Sequence, residues 1–141
     1  MHRFLKFDAI DFLQLSKSFD SWIEKLTEEL NAISELTGQS DNIGRGSGIS
    51  DPTARTAAER EKIKREISRI EGYKAAKEYA FNHMPEQYTD VLNAFFFTDG
   101  HIHNKAQAIA EKYGVNYPKG VYRLRREALE EFTRIITERY I

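Results

Sequence analysis

The chain has 141 residues, with 21 lysines and arginines against 22 aspartates and glutamates, and it contains no cysteine. This length suits one domain, or a small domain with a helical extension, and a chain of this size can bury a core without disulfides. The missing thiols exclude disulfides, thiolate zinc sites and a cysteine nucleophile. No segment approaches the ~20 apolar residues of a membrane span, and the N-terminus lacks a secretory pattern. We therefore expect a cytoplasmic protein without a membrane partner.

The charges are unevenly distributed along the chain. Residues 1–51 carry five basic and nine acidic side chains, residues 52–84 carry eight and five, and residues 85–141 carry eight of each. A net charge of −1 argues against a nucleic-acid partner unless the basic side chains segregate on one face. The alternative is that these charges form ordinary solvated helix surfaces.

Residues 1–36 are predicted to form an N-terminal helical segment. Their apolar residues recur at steps of three and four, which places them on one face of a helix. A solitary helix cannot bury so wide a stripe. It either packs on the rest of the chain as ordinary core or forms the seam of a homodimer. The stripe consists of Phe12, Leu15, Phe19, Trp22, Leu26, Leu30 and Ile33.

Residues 37–53 are predicted to form a Gly-rich linker, with glycines at positions 44, 46 and 48. The stretch lacks the Gly-Lys-Ser/Thr of a phosphate-binding loop, so no nucleotide cofactor is expected. A contact of Arg45 with a DNA phosphate is a minor option. Ser50 or Asp51 then caps a long charged helix from Pro52 to about Asn82.

Residues 54–141 are predicted to form one helical domain. After the long helix, residues 85–136 are predicted to form three further helices. The first runs from Pro85 to near Phe97, and the second from Asn104 or Lys105 to Tyr113. Gly114 is expected in the left-handed conformation, with Val115 as the apolar plug of the turn. Asn116 caps the third helix and Pro118 occupies its first turn. A short Ala-rich helix, a glycine turn and a long helix are typical of a helix-turn-helix.

The third helix is basic at its start and acidic after Arg126, where Glu127 follows. Recognition helices read bases with their N-terminal part, where acidic side chains would repel phosphate. We therefore predict that Arg123 and Arg126 contact bases or phosphates and that Lys119 contacts phosphate. Tyr117 and Tyr122 are expected to pack on the backbone or a thymine methyl. The alternative is a plain amphipathic bundle helix. The predicted DNA-binding residues are Asn116, Tyr117, Lys119, Tyr122, Arg123 and Arg126.

The segments MPEQYTDVLNAFFF, AQAIAEKYGV and VYRLRREALEEF resemble, in this order, the promoter-binding fourth region of sigma factors. Together with the upstream Gly-rich and Asp51-Pro52-Thr53-Ala54 segment, they resemble phage regulators of the ArpU/RinA type. The resemblance covers roughly residues 44–136, and the loop at 98–104 is longer than usual. It implies an all-α fold and transcription control of late genes in a phage or prophage.

We therefore expect an all-α, sequence-specific DNA-binding transcription regulator that binds double-stranded DNA as a homodimer. Two alternatives are open. One is a DNA-packaging protein resembling a small terminase subunit, and the other is a module that contacts RNA polymerase without reading DNA. His101 and His103 lack an evident third metal ligand, so no metal is expected. No activated nucleophile or paired acid and base is apparent, so we do not predict an enzyme.

Overall fold

The computed structural model describes the backbone of residues 8–43 and 50–140, and the side chains of residues 8–33 and 55–140. This part of the chain is helical and contains no strand, so the predicted all-α class is confirmed. None of its helices is long and apolar enough to cross a membrane. The helices are α1 (Ala9–Ser16), α2 (Phe19–Ile43), α3 (Ser50–Asn82), α4 (Glu86–Leu92), α5 (Ile102–Tyr113) and α6 (Lys119–Tyr140), with a π-helical turn at Asn93–Phe97.

Contacts divide the chain into two units. The first unit contains residues up to 17 and from 75 onward, and the second contains residues 18–74. These limits differ from the predicted divisions after residues 36 and 53. The long helix α3 contributes to both units.

The first unit is organised around α6, whose apolar face is buried as predicted. Phe132 and Val121 are fully buried, and the ring of Phe132 lies 5.8 Å from those of Phe12 and Phe81. Burial of this apolar surface is the main force that holds the unit together. The same core contains Leu13, Ala80, Val91, Leu92, Phe96, Ala106, Ile109, Ala110, Leu124, Ala128, Ile135 and Ile136.

The second unit contains α2 and the first part of α3. Phe19 and Ile70 are its buried apolar residues among the described side chains. The ring of Phe19 lies 5.9 Å from that of Trp22 and 6.0 Å from that of Tyr73, and Lys74 forms an ion pair with Asp20. Trp22 remains 37% exposed.

The predicted stripe from Phe12 to Ile33 does not belong to one helix. The first helix ends at Ser16, where the hydroxyl donates to the carbonyl of Leu13, and α2 begins at Phe19. Phe12 packs on Phe132 of α6, whereas Leu15 is 51% exposed. The prediction of a continuous face is therefore wrong. Helix α1 belongs to the first unit because it packs against α6, although the spacing of the apolar residues continues without interruption into α2.

The predicted Gly-rich linker is shorter at both ends. Helix α2 continues to Ile43, and α3 begins at Ser50. Residues 44–49, which include the three glycines and Arg45, lie outside the described residues. Gly72 lies within α3 without ending it.

The three predicted C-terminal helices are present as α4, α5 and α6. Their first residues differ from the predicted ones, and α4 ends earlier than predicted. Regular α-helix stops at Leu92, and the π-helical turn follows to Phe97. Helix α5 begins at Ile102, two or three residues earlier than predicted, because the ring of His101 accepts a hydrogen bond from the N–H of His103 at 3.2 Å. An N-cap of this kind satisfies a donor that the helix itself leaves unpaired.

Candidate nucleic-acid interface

The turn between α5 and α6 is shaped by Gly114. Its φ of 65° is the left-handed conformation that the sequence predicted. The N–H groups of Gly114 and Val115 both donate to the carbonyl of Ala110, which closes α5. Val115 packs against the core, and the carbonyl of Asn116 accepts from the N–H of Val121 at 2.9 Å. The turn is therefore tied to both helices.

Gly120 allows the start of α6 to approach this turn closely. A Cβ atom at position 120 would lie 3.1 Å from the Cβ of Val115 and 3.5 Å from that of Asn116. The first of these distances is shorter than an ordinary carbon contact of 3.5–4.0 Å. A larger residue would require Val115 to shift by a few tenths of an ångström, so the glycine permits the close approach of α6 to the turn.

A surface cleft of about 520 Å³ lies between the turn and the first two turns of α6. Lys119, Arg123 and Arg126 share one face of α6, because they are four and three residues apart. Their side chains are exposed. Five of the six predicted DNA-binding residues line this cleft, namely Asn116, Lys119, Tyr122, Arg123 and Arg126.

These three cations, which we call the cationic stripe, have no acidic partner among the described residues. The contrast lies on the same helix, where Arg134 pairs with Glu131 at 2.6 Å and with Glu138 at 3.0 Å. Hydrogen bonds and the charges of these partners raise the pKa of Arg134, and the bond from Arg134 lowers the pKa of Glu131. The positive charge of the stripe is therefore open to a ligand.

The acidic half of α6 is largely engaged with other side chains. Besides the two partners of Arg134, Glu127 is 3.5 Å from the Tyr88 hydroxyl. Burial raises the pKa of Tyr88, and the nearby Glu127 adds to the shift. Three of the four glutamates after Arg126 thus have a polar partner, whereas the three cations of the stripe have no acidic partner among the described residues.

Tyr117 is the predicted site residue that does not line the cleft. Its hydroxyl lies 3.1 Å from Nδ1 of His103, and the two rings are 5.0 Å apart. Tyr117 is half-buried and packs against the core. It therefore connects the start of α5 to the turn. Sequence reasoning missed this role for His103, because no local pattern links residues 14 positions apart.

Tyr122, which lines the cleft, and Arg125, which does not, both contact the π-helical turn. The exposed ring of Tyr122 packs edge-on against Phe95, with 5.6 Å between centroids. The guanidinium of Arg125 lies 5.3 Å from the centre of the Phe95 ring and 5.4 Å from that of Phe96. Arg125 was not among the predicted site residues. Both rings that Arg125 contacts belong to the π-helical turn, which follows α4.

A polar cluster joins α4 to the last turn of α5. Asp90 accepts hydrogen bonds from Lys112 at 2.6 Å and from the hydroxyl of Tyr113. The bonds from Lys112 and Tyr113 lower the pKa of Asp90, and burial raises the pKa of Tyr113. Lys112 is therefore paired with a carboxylate, in contrast to the three cations of the stripe.

The histidines do not form part of a wider ligand set. Among the described residues, no three His, Asp or Glu side chains come close enough to hold a metal ion. His101 caps α5 and His103 contacts Tyr117, so both have structural partners.

Comparisons of the chain with models of protein families, with curated proteins and with solved structures find no match. The features that bear on its function are the turn, the cleft and the unpaired cationic stripe.

Proposed function

We propose that this protein is a sequence-specific DNA-binding transcription regulator whose α5–turn–α6 segment acts as a helix-turn-helix. The observation that carries the proposal is the cationic stripe, whose three exposed cations have no acidic partner among the described residues. Duplex DNA presents a regular array of phosphates, and Arg also recognises guanine edges in the major groove.

The dimensions of the stripe suit a major groove. Lys119 and Arg126 are seven residues apart, which corresponds to about 10 Å along a helix axis. DNA rises about 3.4 Å per base pair, so the stripe spans about three base pairs. A groove about 12 Å wide admits one α-helix. Only the start of α6 would then contact bases, because the acidic residues begin with Glu127.

The resemblance of residues 44–136 to sigma-factor region 4 and to ArpU/RinA-type regulators supports the finer part of the proposal. On that basis we propose activation of late genes in a phage or prophage. We also propose a homodimer through α2. The exposed Trp22 lies on this helix, whereas Phe12 is excluded from the seam by its packing on Phe132.

The proposal is tested by selecting bound sequences from a random DNA pool and measuring affinity for the selected duplex. Arg123→Ala and Arg126→Ala should each lose about 1–3 kcal/mol of binding free energy where they contact a base. Arg134→Ala is the matched control on the same helix, because Arg134 is already paired with two glutamates. Unchanged binding by folded Arg123 and Arg126 variants would overturn the assignment.

The same experiments separate the two alternative functions. A packaging protein of the small-terminase kind assembles into rings, so a mass in solution above that of a dimer would favour it. A module that contacts RNA polymerase without reading DNA would not be retained on any duplex at low salt. A palindromic selected sequence would support the dimer, because symmetric half-sites mirror two-fold protein symmetry.

A further inference from the structure

Arg125 differs from the other cations at the start of α6. It is half-buried, and its guanidinium lies over two aromatic rings of the π-helical turn, at 5.3 Å from Phe95 and 5.4 Å from Phe96. Its Nε is buried and has no hydrogen-bond partner. No ion pair joins it to a carboxylate in the described part of the chain. The Nε of Arg60 is likewise buried without a hydrogen-bond partner, so the ring contacts and the missing carboxylate, and not the buried Nε, distinguish Arg125.

The position of Arg125 places it next to Tyr122, about 100° around α6 from Arg126, the nearest member of the cationic stripe. At 100° per residue, Arg125 lies about 60° around α6 from Tyr122, which lines the cleft. Tyr122 and Arg125 both contact the ring of Phe95. Arg125 therefore occupies the flank of the interface, between the cleft and the buried face of the helix.

Stacking fixes the orientation of this guanidinium in advance. A planar guanidinium packs well on aromatic rings and still offers several N–H donors to an oxyanion. A side chain that is already ordered loses less conformational entropy when it binds a ligand. Arg139 makes a similar contact with Tyr79 at 4.1 Å, but it lies in the last turn of α6. Arg125 therefore differs from Arg139 not in its stacking but in its place next to Tyr122, which lines the cleft.

We infer that Arg125 is a preorganised anchor for a backbone phosphate of duplex DNA, held by Phe95 and Phe96 at the flank of the groove-facing stripe. This inference rests on the proposed function and assigns a role that sequence reasoning did not give to Arg125. The stripe faces the bases, and Arg125 fixes the register of α6 against the wall of the groove. Phosphate contacts of this kind position a protein without reading sequence.

The test is the salt dependence of binding to a 20-base-pair duplex of unselected sequence. Arg125→Met should lower the slope of log affinity against log salt concentration by about 0.9, the value for one phosphate contact. Between 50 and 200 mM salt, the unmodified protein should then lose about 3.5-fold more affinity than the variant. Arg139→Met is the matched control, with the same kind of stacking at the other end of α6, and its slope should not change.

A second variant keeps the test informative if Arg125→Met does not fold. Arg125→Lys retains the charge but lacks the planar, stacked guanidinium. It should keep the full slope and bind the duplex about 2- to 5-fold more weakly, because the ammonium must be ordered on binding. A lysine variant that binds as well as the unmodified protein would overturn the preorganised anchor.

The outcomes distinguish this inference from the proposed function. An unmodified protein that binds no duplex at low salt would overturn both. Binding that weakens in Arg123→Ala but keeps its slope in folded Arg125→Met would overturn only the anchor. A reduced slope in Arg125→Met together with unchanged binding in Arg123→Ala would support the anchor and overturn the role of the stripe.

Discussion

Gly114 and Gly72 provide a sharp test of the conformation assigned to the turn, because the same substitution should have opposite effects at the two positions. A methyl group added at either glycine would have no neighbour within 4 Å, so steric contacts with other residues do not enter. Gly114 has φ of 65°, whereas Gly72 lies within helix α3. An L-residue in the left-handed region costs about 1–2 kcal/mol, and alanine recovers about 0.4–1 kcal/mol by restricting the unfolded chain.

Gly114→Ala should therefore lower the free energy of unfolding by about 1 kcal/mol. Gly72→Ala should raise it by about 0.5–1 kcal/mol, because alanine is the better helix former. Gly114→Asn is the conservative control, since asparagine tolerates the left-handed region more readily than alanine does. Its loss should be smaller than that of Gly114→Ala.

Amide hydrogen exchange is the suitable assay, because the two glycines lie in different units and exchange reports the opening of each region separately. Protection of the α5 amides should fall in Gly114→Ala, and protection of the α3 amides should rise in Gly72→Ala. A stabilising effect of Gly114→Ala, or effects of the same sign at both positions, would refute the left-handed turn on which the interface depends.

Three other predictions follow from the packing and the polar contacts. Leu13→Ala should lower the free energy of unfolding by about 2–5 kcal/mol, whereas Leu15→Ala should change it by no more than about 0.5 kcal/mol, because only Leu13 is buried. Denaturant titration measures both, and equal effects would contradict the placement of α1. Asp90→Asn should lower the free energy of unfolding at neutral pH. Its difference from the unmodified protein should narrow as the pH falls below about 4, because the pKa of Asp90 is lowered in the folded protein and protonation removes the stabilisation; a difference that does not narrow as the pH falls through this range would contradict the linkage. Trp22→Asp should convert the proposed dimer into monomers in light scattering, and a variant that stays dimeric would refute a seam at Trp22.

Periodicity and turn chemistry predict most of the C-terminal helices. The apolar face of α6 from Val121 to Ile136 follows the helical repeat, and Gly114 ends α5 in the conformation that only glycine adopts cheaply. The start of α5 was predicted less well. Histidine is not among the preferred capping residues, so His101 gave no local signal for a helix start at Ile102.

The N-terminal break shows why spacing alone was insufficient. Leu15 and Phe19 are four residues apart, so the apolar repeat continues across the end of α1 without interruption. No glycine or proline marks the break at Lys17 and Ser18. The deciding contact is between Phe12 and Phe132, which are 120 positions apart in the chain. Tertiary contacts of this kind override a local pattern, and they cannot be read from it.

For the candidate interface, the sequence predicts the residues on one face of α6. Spacing placed Lys119, Arg123 and Arg126 on one face, and they line the same cleft. The roles of Tyr117 and Arg125 depend on His103 and Phe95, which lie on other elements. Spacing therefore predicts which residues share a face of the helix, whereas the contacts of Tyr117 and Arg125 with neighbouring elements could not be predicted from it.

The near-zero net charge is a poor guide to this protein because charge acts locally. At physiological ionic strength, exposed charges are largely screened beyond about 8 Å. Arg123 and Glu138 are 15 residues apart on α6, which corresponds to about 22 Å along its axis. Glu138 is therefore too far away to offset the charge of Arg123, and Glu131 and Glu138 are already paired with Arg134. Glu127 and Glu130 are nearer, about 6 Å along the axis from Arg123 and Arg126, but neither forms an ion pair with the stripe among the described residues. An incoming polyanion would meet the local charge of the stripe and not the total of −1.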